Sequence, residues 1–171
     1  AKRDENNFDD FILQPLLPNK LSQLGPGIAL GDLDQNGRDE LYLAAPAGQP
    51  KSLHLLPAQP NSDEQLFFFG KPLETNKAIE EMAPLFFDAD GDGDLDVYVV
   101  SGGVENAGNK ELLRDQLLIN QGALKFTAAD VGALPDTRFS GSAVAAADYD
   151  RDGDLDLFLG GRLVEGAYPT T

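Results

Sequence analysis

Asp88-Ala89-Asp90-Gly91-Asp92-Gly93-Asp94-Leu95-Asp96 is the middle one of three related acidic loops, and its form decides how the chain is read. The others are Asp32-Leu33-Asp34-Gln35-Asn36-Gly37-Arg38-Asp39-Glu40 and Asp148-Tyr149-Asp150-Arg151-Asp152-Gly153-Asp154-Leu155-Asp156. All three follow D-x-D-x-(D/N)-G-x-x-(D/E). Side-chain oxygens at positions 1, 3, 5 and 9, a main-chain carbonyl at 7 and a glycine at 6 to bend the chain sharply form the ligand set of a hard cation, calcium. The expected ligands are Asp32, Asp34, Asn36, Arg38 (through its carbonyl) and Glu40 in loop 1. They are Asp88, Asp90, Asp92, Asp94 (carbonyl) and Asp96 in loop 2, and Asp148, Asp150, Asp152, Asp154 (carbonyl) and Asp156 in loop 3. Three Ca²⁺ sites follow. A solvated acidic turn would explain one such loop, but not three with glycine at the same place.

The helix-flanked EF-hand is the competing reading, and it needs a bidentate glutamate at position 12. That position holds Leu43, Val99 and Leu159. The flanks Leu85-Phe86-Phe87 and Val97-Tyr98-Val99-Val100 are short aromatic and β-branched runs, which predict strands. Each loop is therefore expected at the tip of a β-hairpin.

The loops recur at intervals of 56 and 60 residues, and the likeness extends beyond them. Leu41-Tyr42-Leu43, Val97-Tyr98-Val99 and Leu157-Phe158-Leu159 follow the three loops, each leading into small residues. Ile28-Ala29-Leu30-Gly31 and Val144-Ala145-Ala146-Ala147 precede the first and third. Further strands are expected at Leu53–Leu56 and Gln65–Phe69, and at Gln116–Ile119 and Leu124–Thr127 with a turn at Asn120-Gln121-Gly122 between the latter two. Short helical turns are expected at Thr75–Met82 and Lys110–Arg114. Four strands per repeat near 60 residues predict an all-β fold, a partial β-propeller of four-stranded antiparallel blades with calcium-binding hairpin loops. The expected organisation is an N-terminal segment over 1–27, blade 1 over 28–80, blade 2 over 81–135 and the inner half of blade 3 over 136–171. Phe8 to Ile12 is expected to be the outer strand of a preceding blade.

Charge is concentrated where the ions would sit. The loops hold four, five and five of the chain's 29 acidic residues, and three divalent ions would move the formal charge from −16 to −10. A chain this acidic is not expected to bind nucleic acid or an anionic membrane by simple electrostatics. There is no cysteine, so neither disulfides nor thiol chemistry. No apolar run reaches 18 residues, and direct membrane insertion is not expected. The start at Ala1, without a signal peptide, reads as that of a piece of a longer chain.

Phe139-Ser140-Gly141, the acidic loops and Ala44-Ala45-Pro46-Ala47-Gly48 together resemble the FG-GAP or VCBS repeat, over about residues 24 to 161. That repeat is the blade unit of integrin α-subunit propellers and of many secreted bacterial proteins. Phe8-Asp9-Asp10-Phe11, the run from Leu16 to Gly25 and Gly160-Gly161-Arg162 are similar to the secreted ASPIC/UnbV-associated propellers related to cartilage acidic protein. The resemblance implies closure by about seven blades and, with only part of that number here, a fragment that self-associates. Loop 1 departs from the pattern with Asn36 and Glu40, which predicts a weaker site.

Chemistry outside the loops is sparse. His54, the only histidine, lies in an alternating strand, and no G-x-S-x-G elbow is present. Paired aspartates serve glycosidases, but every close pair here belongs to a loop. Phe67-Phe68-Phe69 reads as a packed outer strand rather than a sugar-stacking surface. The expectation is a non-enzymatic, calcium-binding propeller segment of an extracellular, cell-surface or periplasmic protein. It would bind a protein or glycan ligand, with calcium in a structural role. The alternative is the non-catalytic part of a carbohydrate-active or lipid-active propeller enzyme whose active site lies on other blades.

Overall fold

The computed structural model describes residues 7–56, 71–72, 76–105, 108–130, 132–164 and 167. Loop 1 joins β1 (Ile28–Gly31) to β2 (Glu40–Leu43), and β3 (Ser52–Leu55) and β4 (Lys71–Pro72) complete a four-stranded antiparallel sheet in chain order. Loop 2 joins β5 (Glu81–Phe87) to β6 (Asp96–Ser101), followed by β7 (Gln116–Asn120) and β8 (Phe126–Ala128) in a second sheet of the same order. Loop 3 joins β9 (Ser140–Ala147) to β10 (Asp156–Leu163) in a two-stranded third sheet. The fold is all-β with antiparallel sheets. The same pair closes each loop: Gly31 faces Glu40, Phe87 faces Asp96 and Ala147 faces Asp156. The acid at position 9 is thus already part of a strand, so the sheet register fixes where it stands.

The sheets pack in chain order through their faces. Leu33, Tyr42 and Leu53 of the first meet Val97, Val99 and Leu118 of the second. On the other face of the second, Phe87, Tyr98 and Val100 meet Val144, Ala146, Leu157 and Leu159 of the third. This sandwiching explains β6, which is buried along its whole length and reads as an unbroken apolar run rather than an alternating one. Small residues let the backbones close in. A β-carbon on Gly27 would strike the Met82 carbonyl, and one on Gly141 would strike the Val100 side chain.

Two buried carboxylates make the same contact from different places in the repeat. Glu81, at the start of β5, accepts from the Tyr42 hydroxyl (2.9 Å) and the Ala45 N–H (2.9 Å), and pairs at 2.8 Å with Lys51, both side chains fully buried. One sheet on, Asp115 accepts from the Tyr98 hydroxyl (2.7 Å) and the Ser101 N–H (2.7 Å). Lys51 and Asp115 each precede the third strand of their sheet, while Glu81 and Gly141 correspond at the start of β5 and near the start of β9. The same tyrosine–carboxylate contact is therefore made from opposite sides. Glu81 comes from the following sheet with a lysine to balance it, whereas Asp115 comes from the same sheet with glycine opposite. The third sheet has Phe158 at the tyrosine position and no hydroxyl to satisfy.

Three local expectations need correction. Phe8 to Ile12 is not a strand: Asp10–Leu13 forms a short helix, α1, with Asp9 accepting from the Phe11 N–H, and the Asp10 carboxylate accepts from the Leu21 and Ser22 N–H groups. An aspartate that bonds nearby main chain, as Asp9 does, competes with a strand ladder. Leu124 lies in a turn, at φ 56 beside Ala123 at φ 52, so β8 begins only at Phe126. Asn76 accepts from the Ala78 N–H in a turn and the chain enters β5 at Glu81, leaving no helix over 76–82. Thr75 and the strand expected at Gln65–Phe69, with Phe67-Phe68-Phe69, lie outside the described residues. The helical turn near Lys110 is a 3₁₀ turn over Lys110–Leu113, with Asn109 accepting from the Glu111 N–H.

Candidate metal centres

Three side chains of each loop converge. Asp32, Asp34 and Glu40, then Asp88, Asp90 and Asp96, then Asp148, Asp150 and Asp156, each offer carboxylate oxygens within 4.8 Å of one another. These are positions 1, 3 and 9. The loop backbone is shaped by its own acids. Both Asp32 oxygens accept main-chain N–H groups, from Asn36 (3.0 Å) and Gly37 (2.7 Å), and both Asp88 oxygens do so from Gly91 (2.8 Å) and Gly93 (3.0 Å). The acid at position 9 reaches back to the N–H of position 2: Glu40 to Leu33 (2.8 Å), Asp96 to Ala89 (2.7 Å) and Asp156 to Tyr149 (3.0 Å).

Two residues per loop take the left-handed conformation. Gly37, Gly93 and Gly153 at position 6 do so, as the motif implies, and so do Gln35, Gly91 and Arg151 at position 4. Position 4 escaped the sequence reading because only Gly91 signals it. At position 5, Asp92 and Asp152 accept from the N–H groups of Asp94 (2.9 Å) and Asp154 (3.0 Å), and Asn36 accepts from the Arg38 guanidinium (3.3 Å).

In loops 1 and 2 the gathering of acids carries an electrostatic cost. Glu40 and Asp96 are buried, and burial pushes both carboxyls above their usual range. The Leu33 N–H works against that shift for Glu40, and the N–H groups of Asn120 and Ala89 do so for Asp96. The neighbouring loop acids Asp32 and Asp34, or Asp90 and Asp92, add to it. A cation among the oxygens would offset both the burial and the repulsion between like charges. The donor set is all oxygen and suits a hard divalent ion.

Residues 88–159 match the FG-GAP-like repeat. The matched segment runs from the first aspartate of loop 2 into β10, and so takes in two of the three loops. Loop 1 lies outside that segment yet repeats its closing pair and its three converging acids. No curated protein and no solved structure matches the chain.

Two contacts connect loop 1 with the FG-GAP-like loop 2, and sequence reasoning missed both. The Gln35 amide donates to Asp94 Oδ1 (2.6 Å) and to the Gly93 carbonyl (3.1 Å). The buried Asn120 donates through its side chain to the carbonyls of Leu33 (2.8 Å) and Leu95 (3.2 Å), and through its N–H to Asp96 Oδ1 (2.8 Å). Both span more than one repeat, and no local pattern announces them. His54 is buried in β3, with Nε2 3.1 Å from the Ser52 hydroxyl, and burial lowers its pKa.

Proposed function

We propose that the chain is a calcium-binding segment of a β-propeller, from a secreted or cell-surface protein, that binds a protein or glycan partner rather than performing catalysis. The observation that carries this reading is the convergence of three carboxylates at the same three positions of three successive hairpins. Strands on both sides of each loop separate it from an EF-hand. Each ion would take the gathered acids together with Asn36, Asp92 or Asp152 at position 5 and the carbonyl of Arg38, Asp94 or Asp154. Bound there, it would supply positive charge that pins the hairpin tip and fixes the position of the neighbouring sheet. Sites of this mixed composition fill at about 10⁻⁴ to 10⁻³ M calcium, a concentration found outside cells.

The propeller reading is supported by sheets stacked in chain order and by the two end faces of the stack. The third sheet exposes Phe158 (73 %), the counterpart of the covered Tyr42 and Tyr98, and the first exposes Ile28 and Leu30. These faces suit further blades on either side. Among the described residues, no helix is long and apolar enough to cross a membrane.

Titration calorimetry tests the reading. Uptake of three Ca²⁺ per chain is expected, with much weaker uptake of Mg²⁺, whose octahedral demand and firmly held waters fit such loops poorly. Millimolar calcium should also raise the melting temperature over excess chelator, since at tenfold saturation each site adds about 1.4 kcal/mol. Absent uptake at millimolar calcium, with equal melting in chelator, would refute it.

A further inference from the structure

We propose that the first two loops bind their cations cooperatively, through Gln35 and Asn120, while the third fills independently. This rests on the calcium reading above and adds to it how the sites are regulated. Gln35 stands between Asp34 and Asn36 of loop 1, in the left-handed conformation at φ 58, and its amide is tied to Gly93 and Asp94 of loop 2. Asn120 bonds the Leu33 carbonyl, between Asp32 and Asp34, while its N–H holds Asp96, a gathered acid of loop 2. Gln35 reaches directly from loop 1 to the backbone and an acid of loop 2, and Asn120 bridges the loops from β7, bonding backbone of loop 1 and both backbone and an acid of loop 2. Ordering either loop around an ion therefore orders main chain in the other, so the second ion meets a loop that has already lost conformational freedom.

The third loop lacks this connection. Gly91 occupies in loop 2 the place of Gln35 and has no side chain to extend toward loop 3. Among the described residues, the hydrogen bonds of the loop 3 acids stay within that loop.

The test uses the full chain with loop 3 disabled by Asp148→Ala, titrated with Ca²⁺ alone in a calorimeter. Adding Asp88→Ala, which disables loop 2, should weaken calcium binding at loop 1 roughly 5-fold or more, the lower end of ordinary coupling between sites. Linkage requires that Asp32→Ala weaken loop 2 by the same factor. Removing loop 2 charge also alters the field at loop 1, so the deciding comparison is made in a Gln35→Gly background. Glycine suits the backbone at position 35 and removes no acid, and its melting in chelator reports that the variant folds. If hydrogen bonds carry the coupling, Asp88→Ala should weaken loop 1 by a clearly smaller factor in that background. The same factor in both backgrounds overturns the part assigned to Gln35, and no effect of Asp88→Ala in either overturns the coupling altogether; both results leave the calcium reading intact. No uptake by the unsubstituted chain overturns both.

Discussion

Lys51→Met should destabilise the chain by about 3–5 kcal/mol, the usual cost of leaving one partner of a buried ion pair behind. Lys51 Nζ lies 2.8 Å from Glu81 Oε1 and neither side chain reaches solvent, so water cannot replace the lost ammonium. The carboxylate would keep the Tyr42 hydroxyl and the Ala45 N–H as donors, but no countercharge. Methionine approximates the volume of the lysine stem, which limits the cavity contribution. For a chain of this length each kcal/mol moves the midpoint by roughly 2–4 °C, so calorimetric melting at fixed calcium and neutral pH should show a fall of about 6–20 °C. A second change, Glu81→Gln, should recover a large part of that loss, because the amide oxygen can still accept from Ala45 and no charge remains to be balanced. A single variant melting within about 2 °C of the parent would show that the pair contributes little, against the cost expected for a buried charge. A double variant no better than Lys51→Met would place the loss in packing instead.

Other outcomes follow from the same contacts. Among Asp32→Ala, Asp88→Ala and Asp148→Ala, the first should remove the weakest site, since loop 1 has neutral Asn36 and cationic Arg38 where the other loops have aspartates; calorimetric loss of the tightest site instead would reverse that ranking. Burial raises the Asp115 carboxyl above the usual aspartate range, so the folded chain retains a proton that the unfolded chain releases, and stability falls as pH rises through that window. Asp115→Asn should flatten this part of the melting-temperature profile, and an unchanged slope would contradict the assignment. The exposed end faces should drive association at high concentration, and Phe158→Ser should reduce it in sedimentation velocity; a parent chain that stays monomeric throughout would contradict that reading.

The hairpins were legible because everything that defines them is local. A nine-residue pattern specifies the tip, and the apolar runs on either side specify strands whose register then follows. The convergence of positions 1, 3 and 9 was legible for the same reason. What escaped lies elsewhere in scale. Asp9 caps a helical turn in an apparently extended segment through the Phe11 N–H, and Asp10 ties that turn to Leu21 and Ser22, 11 and 12 residues on. Gly122 advertised a turn, but the left-handed conformation continues through Ala123 and Leu124, where the residue types give no sign of it. The contacts of Gln35, Asn120, Lys51 and Glu81 join residues 24 to 87 positions apart, where composition and periodicity carry no signal.

The exchange of Glu81 and Lys51 for Gly141 and Asp115 means that the repeats cannot be shuffled. Were a copy of the second sheet to follow itself, its glutamate would arrive beside Asp115, setting two carboxylates against one tyrosine with no lysine between them. Were the third sheet to follow the first, glycine would face Lys51 and leave an ammonium buried alone. Either junction would bring in an unmatched charge, whereas in the native succession Lys51 is paired with Glu81 and Asp115 has the Tyr98 hydroxyl and the Ser101 N–H to itself. Units alike enough to share one loop pattern thus encode their own order, and a recombined or slipped arrangement of the chain would be penalised at its seams.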